Sequence, residues 1–182
     1  MFDDLGVVAL MGLPGSGKST LAAPLARELG AWIVSRDHIR LAMFEPCGFT
    51  EAEKQAAFQG VLAAVDANCA LERLTVIDGM PFSREGEIEA VAEVAARRQR
   101  AVVAVMLEVS PELAASRISA NQESTPRPGD DRTARLPAEV SRRFRPLPKG
   151  TLVLDGGASV ETLLEQTLTH LRAGGNGQSV SP

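Results

Sequence analysis

The stretch MGLPGSGKST, Met11–Thr20, stands between an apolar run, Leu5–Met11, and a helical pattern over Lys18–Leu29 in which Leu21, Leu25 and Leu29 share one face. Its centre, Gly12-Leu-Pro14-Gly15-Ser16-Gly17-Lys18-Ser19, fits G-x-x-x-x-G-K-[ST] completely, in the strand–turn–helix context that this spacing requires. Glycines let the backbone curl until successive N–H groups point inward, which is how a chain cradles phosphate oxygens. A helix opening at Lys18 adds the positive end of its dipole. In that setting Lys18 reaches the β- and γ-phosphates of a nucleoside triphosphate and the Ser19 hydroxyl holds Mg²⁺. The expected nucleotide contacts are therefore Gly12, Pro14, Gly15, Ser16, Gly17, Lys18, Ser19 and Thr20, with ATP and Mg²⁺ as the implied cofactors.

Working outward, apolar runs alternate with helical patterns along the chain. Strands are expected at Leu5–Met11, Ala31–Val34, Leu74–Ile77, Ala101–Val109 and Thr151–Leu154. A long helix is expected over Glu51–Arg73, burying Phe58, Leu62, Val65 and Cys69. Another is expected over Arg84–Arg98, capped by Ser83, with Ile88, Val91 and Val94 inward. Ser110–Pro111 reads as an N-cap followed by proline at the first helical position, and Val160–Leu171 as a closing helix. Strands separated by long helical crossovers make a parallel sheet, so the expected architecture is α/β: a five-stranded parallel sheet with helices on both faces.

Size and composition agree with one such domain over residues 1–172: the chain has 182 residues, 45% hydrophobic and 23% charged. A net charge of −4 supplies no global attraction to nucleic acid or an anionic membrane. Cys47 and Cys69 form neither a disulfide framework nor a metal cluster. No apolar run approaches a membrane span and no basic leader is visible, so a cytoplasmic setting without membrane contact is expected. The Gly-rich stretch 173–182 is expected to be a mobile tail.

Magnesium sites beside such a loop usually add a carboxylate at a strand end, and three strands end in acids: Asp78, Glu108 and Asp155. Asp78 is chosen as metal ligand because its strand is expected beside the first one; Asp155-Gly156-Gly157 reads as a turn. Only three lysines occur, Lys18, Lys54 and Lys149, and none stands in a guanine-reading Asn/Thr-Lys-x-Asp motif, which argues against a GTP switch. A ring-forming motor module needs more chain than this.

Four blocks taken together, GLPGSGKST, SRDHIR (Ser35–Arg40), VIDGMPFSR (Val76–Arg84) and SPELAASR (Ser110–Arg117), resemble a family of small P-loop kinases. The family includes the kinase domain of phage-type polynucleotide kinase and AAA_33-like ATP-binding proteins, with chloramphenicol phosphotransferase and zeta toxins as more distant relatives. The likeness runs from about Leu5 to Leu171. It implies the P-loop NTPase fold and phosphoryl transfer from ATP to a hydroxyl, with Asp37 accepting the proton of the attacking hydroxyl. A carboxylate at the C-terminal end of the second strand would open onto the same crevice as the phosphate loop, which fits that role. Arg40, one turn on, would hold an anionic part of the acceptor. The competing reading is that Asp37 only caps a helix entering at His38. Arg117 matches the family arginine that lies over the adenine.

From Arg117 to Lys149 the chain carries eight basic and four acidic residues in an otherwise acidic protein. The expectation is a lid over about 118–136 that brings an arginine to the γ-phosphate; the plainer reading is a solvated loop. Related kinases carry a further arginine a turn beyond the position of Arg117, where this chain has Ile118-Ser-Ala-Asn121-Gln122. The arginine is therefore sought among Arg127, Arg132 and Arg135. The acceptor is expected to be a small hydroxylated molecule or nucleotide, contacted within His38–Arg73, with Phe44 and Phe49 as candidate walls. A polynucleotide 5′-hydroxyl is the alternative, disfavoured by the absence of tyrosine and an aromatic content of 4%. The rival functional classes are a slow regulatory ATPase acting through a protein partner and a toxin-like sugar-nucleotide kinase.

Overall fold

The computed structural model describes residues 4–124, 133–144 and 146–173. Strand β1 (Leu5–Gly12) leads through the phosphate loop into α1 (Lys18–Leu29); β2 (Trp32–Ser35), α2 (Arg36–Met43), α3 (Glu51–Ala70) and β3 (Thr75–Asp78) follow. Then come α4 (Glu87–Arg97), β4 (Ala101–Glu108), α5 (Pro111–Ser124), α6 (Leu136–Ser141), β5 (Leu152–Asp155) and α7 (Val160–Ala173). All five strands are parallel, in the order β2-β3-β1-β4-β5.

β1 is central, and the alternation of its side chains divides the core. Val7, Ala9 and Met11 face one layer with Phe58, Val61 and Val65 of α3 and Ile88 and Val91 of α4. Val8 and Leu10 face the other, with Leu21 and Leu25 of α1 and Leu163, Leu168 and Leu171 of α7. Burial on both faces is why this strand reads as an unbroken apolar run. A third, smaller cluster of Leu13, Ala114 and Val140 ties α5 and α6 to the phosphate loop.

Several boundaries differ from the sequence expectation. The second helix opens at Arg36 and is capped by Ser35, whose Oγ accepts from the His38 N–H at 3.4 Å; Asp37 is not its cap. Ser83 does not cap α4 either. Arg84 N–H donates to Glu87 Oε2 and Glu87 N–H to the Arg84 carbonyl, so a turn intervenes and the helix starts after Gly86, at φ 81°. α3 stops at Ala70 because the chain turns through Glu72 at φ 56°, with the Arg73 N–H bonded to the Asn68 carbonyl. Its start is a capping box: Thr50 Oγ1 accepts from the Glu53 N–H, and Glu53 Oε2 from the Thr50 N–H. Ser110 caps α5 as expected, its Oγ accepting from the Leu113 N–H at 3.2 Å. Pro24 lies inside α1, which continues through it. No described helix is long and apolar enough to cross a membrane. The expected tail lies, apart from Ala173, outside the described residues.

Leu10 is fully buried between the sheet and α1. Leu10→Ala is expected to destabilise the domain by about 2–5 kcal/mol, read as a lowered urea midpoint at unchanged m-value.

Candidate active site

The phosphate loop has the conformation its glycines permit. At Gly15, φ is 83° and an added Cβ would lie 2.5 Å from the Ala114 carbonyl oxygen, so no side chain fits where α5 crosses the loop. Lys18, buried at the first position of α1, folds back over this loop. Its ammonium donates to the carbonyls of Gly12 and Leu13, both at 2.8 Å, and to Ser16 Oγ at 3.3 Å. Next to it, Ser19 Oγ donates to Asp78 Oδ1 at 3.1 Å. Asp78 ends β3, which pairs directly with β1. Of the three strand-end acids, this is the one that meets the loop's hydroxyl; Asp155 Oδ1 instead accepts from the Gly157 N–H at 2.8 Å, forming the expected turn. A hydroxyl and a carboxylate in contact, both oxygen donors, form a donor set suited to Mg²⁺.

The C-terminal ends of the strands open onto a cleft of about 590 Å³ lined by Pro14, Gly15, Gly17, Lys18, Ser19 and Thr20 on its floor. One half is closed by Arg117, Asn121, Gly156, Ala158, Val160 and Leu163. There Arg117 Nη1 donates to the Gly156 carbonyl at 2.8 Å and touches the Ser16 carbonyl at 3.5 Å, linking α5 to the phosphate loop and to the turn before α7. The other half is formed by α2, Phe49, Lys54 and the segment Gly79–Glu87, with Leu136, Val140 and Arg143 from α6 and its end.

In that second half, Asp37 stands in the first turn of α2 with its side chain 40% exposed. Arg40 Nη2 donates to Asp37 Oδ1 at 3.3 Å, and Arg36 Nη2 lies 3.9 Å from the same oxygen. Asp37 packs against Gly79: an added Cβ there would sit 3.2 Å from Asp37 N and 3.3 Å from its Cγ and Oδ2, at φ +77°. The Arg40 side chain is buried, and its guanidinium stacks 4.4 Å from the Phe49 ring centroid. Arg84 is ion-paired with Glu51, which lowers the Glu51 pKa and raises that of Arg84. Burial pushes the Glu87 carboxyl above the usual carboxylate range, against the pull of the Arg84 N–H and of the nearby Arg36 and Arg84 charges. Burial likewise lowers the Arg36 pKa, opposed by Asp37.

Of the residues expected from the sequence, Lys18, Ser19, Asp37, Arg40 and Arg117 line this cleft, and Asp78 is bonded to Ser19 without lining it. Phe49 is a wall; Phe44 caps the end of α2 and does not line the cleft. Arg127 and Arg132 lie outside the described residues, and Arg135 is exposed at the start of α6. Residues 118–124 of the expected lid continue α5, and Leu136 opens α6. Arg36, Lys54, Arg84, Glu87 and Arg143 were not foreseen as site residues. Arg36 could have been, since it precedes Asp37 in the same turn; Arg143 carries no local signal.

The family model described as AAA domain (AAA_33) matches residues 7–147. The chain belongs to this family. None of the curated proteins matches it. Its fold is that of the small P-loop kinases. A gluconokinase from Sinorhizobium meliloti 1021 superposes with a TM-score of 0.68 at 18% identity, covering 93% of each chain. A sugar kinase from Janibacter sp. HTCC2649 gives 0.71 at 22%, over 94% of this chain and 96% of that one. The Mycobacterium tuberculosis APS kinase CysC, in complex with AMPPNP and APS, gives 0.69 at 17%, over 93% and 98%.

Two outcomes follow for the AAA_33 domain described here. Gly79→Ala is expected to strain a positive-φ backbone and press on Asp37, reducing turnover more than nucleotide affinity; steady-state kinetics beside nucleotide titration separate the two. For Glu87, a raised folded-state pKa means that the native state holds the proton more tightly. Its contribution is present at low pH and is lost as pH rises through the folded pKa. Glu87→Gln should therefore flatten the fall in unfolding free energy as pH rises above the ordinary carboxylate range, measured by urea denaturation over a pH series.

Proposed function

We propose that this protein is a kinase that transfers the γ-phosphate of Mg·ATP to a hydroxyl of a small molecule or nucleotide. The observation that carries the reading is the position of Asp37. Its carboxylate lines the cleft together with Lys18 and Ser19, the latter bonded to Asp78, and Ser35 rather than Asp37 caps α2. A slow hydrolase has no need of a carboxylate poised in the half of the cleft opposite Arg117.

In this reading the acceptor O–H is oriented by Asp37. Its oxygen bonds to the γ-phosphorus, the bond from that phosphorus to the β,γ-bridging oxygen breaks, the proton passes to the Asp37 carboxylate, and ADP leaves. Both arginine contacts fall on Oδ1, which leaves Oδ2 for the hydroxyl. Lys18 exchanges the Gly12 and Leu13 carbonyls for phosphate oxygens. Mg²⁺, when bound, neutralises phosphate charge, and Ser19 and Asp78 are the residues that would hold it. Arg117 borders the nucleotide half, which Thr20, Ala158 and Val160 also line. The arginine that meets the moving phosphoryl group is assigned to the lid over about 118–136, as Arg127 or Arg132, with Arg135 as the remaining choice. Few aromatic side chains favour a small acceptor over a polynucleotide, since base stacking needs platforms.

The test is Asp37→Asn, assayed with γ-labelled ATP, Mg²⁺ and a pool of sugars, sugar acids, nucleosides and a 5′-hydroxyl oligonucleotide. Transfer to an acceptor should fall by about 10²–10⁴-fold while ATP still binds. Label released only to water, equally in both proteins, would overturn the kinase reading in favour of a regulatory ATPase.

A further inference from the structure

Ser83 has no task in the fold. A serine ahead of a helix ordinarily caps it, but α4 begins after Gly86 and Ser83 stays outside it. Ser83 is nonetheless only 3% exposed, and it lines the cleft. Among the described residues its hydroxyl makes no hydrogen bond. A hydroxyl buried to this degree without a partner costs free energy, so the site is complete only when something in the cleft meets it.

Glu87 is the second such group. The turn from Arg84 to Glu87 folds its carboxylate back, so that Oε2 accepts the Arg84 N–H at 3.2 Å, one residue on from Ser83. Oε1 has no hydrogen-bond partner among the described residues, and Glu87 lines the cleft. The Arg84 guanidinium is ion-paired with Glu51. The same segment starts against Asp37, since a Cβ added at Gly79 would lie 3.3 Å from Asp37 Oδ2. Asp37, Ser83 and Glu87 thus border one half of the cleft. Their chemistry selects what they hold. A carboxylate accepts, and a serine both accepts and donates. The group that suits Ser83 and Glu87 together is a hydroxyl, which donates to the carboxylate while it accepts from the serine.

We propose that the phosphate acceptor is a polyol, and that Ser83 and Glu87 bind a second hydroxyl of it, one that takes no phosphate, while Asp37 takes the proton of the first. The inference rests on the kinase reading above and narrows it. A monohydric alcohol would leave both groups unmet. Ser83 is then a specificity-determining residue for the acceptor.

Deoxy series test this with purified full-length protein and γ-labelled Mg·ATP: glucose, ribose, gluconate and adenosine, each beside its monodeoxy analogues. At least one parent should be phosphorylated, and removing one particular hydroxyl from it should cut kcat/KM by about 100-fold. Ser83→Ala should lower kcat/KM on that parent by about 10-fold or more and leave the sensitive deoxy analogue unchanged, so that the two converge. Glu87→Gln should act in the same direction. Misfolding would instead depress parent and analogue alike. A series with no sensitive position, or losses in both variants equal on the parent and on every analogue, would overturn the subsite and leave the kinase reading standing. If no compound takes phosphate, the same four parents are titrated calorimetrically into protein saturated with Mg²⁺ and a non-hydrolysable ATP analogue. Binding lost in Ser83→Ala, with nucleotide binding retained, would uphold the subsite while the kinase reading failed. No binding of any parent to the wild type would overturn the subsite.

Discussion

β1 is held on both edges, by β3 and by β4, with Val7 to Leu10 fully buried between two helical layers. A strand fixed this firmly delivers its last residue to a defined place, and the phosphate loop begins there. Because β3 pairs with β1 in parallel, Asp78 emerges at the same end as Gly12 and comes within hydrogen-bond reach of Ser19. Because β2 pairs with β3, with Ser35 opposite Asp78, Asp37 enters the cleft from the next position along the sheet edge. The loop, the strand-end acid and the α2 carboxylate are thus three consequences of one parallel register.

Electrostatics then decides what the cleft can hold. Lys18, Arg36, Arg40, Arg84 and Arg117 all line the cleft, and each is balanced differently. Lys18 is satisfied by loop carbonyls that phosphate oxygens can replace. Arg84 is held outside by Glu51. Arg117 spans two backbone carbonyls and so joins α5 to the phosphate loop and to the turn before α7. Arg36 and Arg40 share a single carboxylate oxygen, Asp37 Oδ1.

Much of the fold was legible because its signals are local. The unbroken run at β1, the Lys18–Leu29 pattern and the Ser110–Pro111 start are set by residues a turn or two apart, and each stands where expected. The misreadings arose where two local signals competed. Ser83 is a good cap residue, but the reciprocal bonds between Arg84 and Glu87 made a turn first. Asp37 is also a good cap residue, but Ser35 lies two residues earlier, at the end of β2, and took the role. α6 gave no usable pattern because it is short and is held by packing of Val140 against Leu13 and Ala114 rather than by periodicity.

By itself the sequence determined the phosphate loop, with Lys18 and Ser19 in it, and the five alternating strands, since these depend on local spacing and periodicity. The RDHIR segment gave Asp37 and Arg40 through family resemblance. Only the tertiary structure decided which of three strand-end acids meets Ser19, that Asp37 is free of capping duty, and that Arg36, Lys54, Arg84, Glu87 and Arg143 share one cleft. Those relations join residues far apart in the chain, from Arg36 to Arg143. They exist only because strand order brings distant chain ends to one edge, and no local pattern encodes that order.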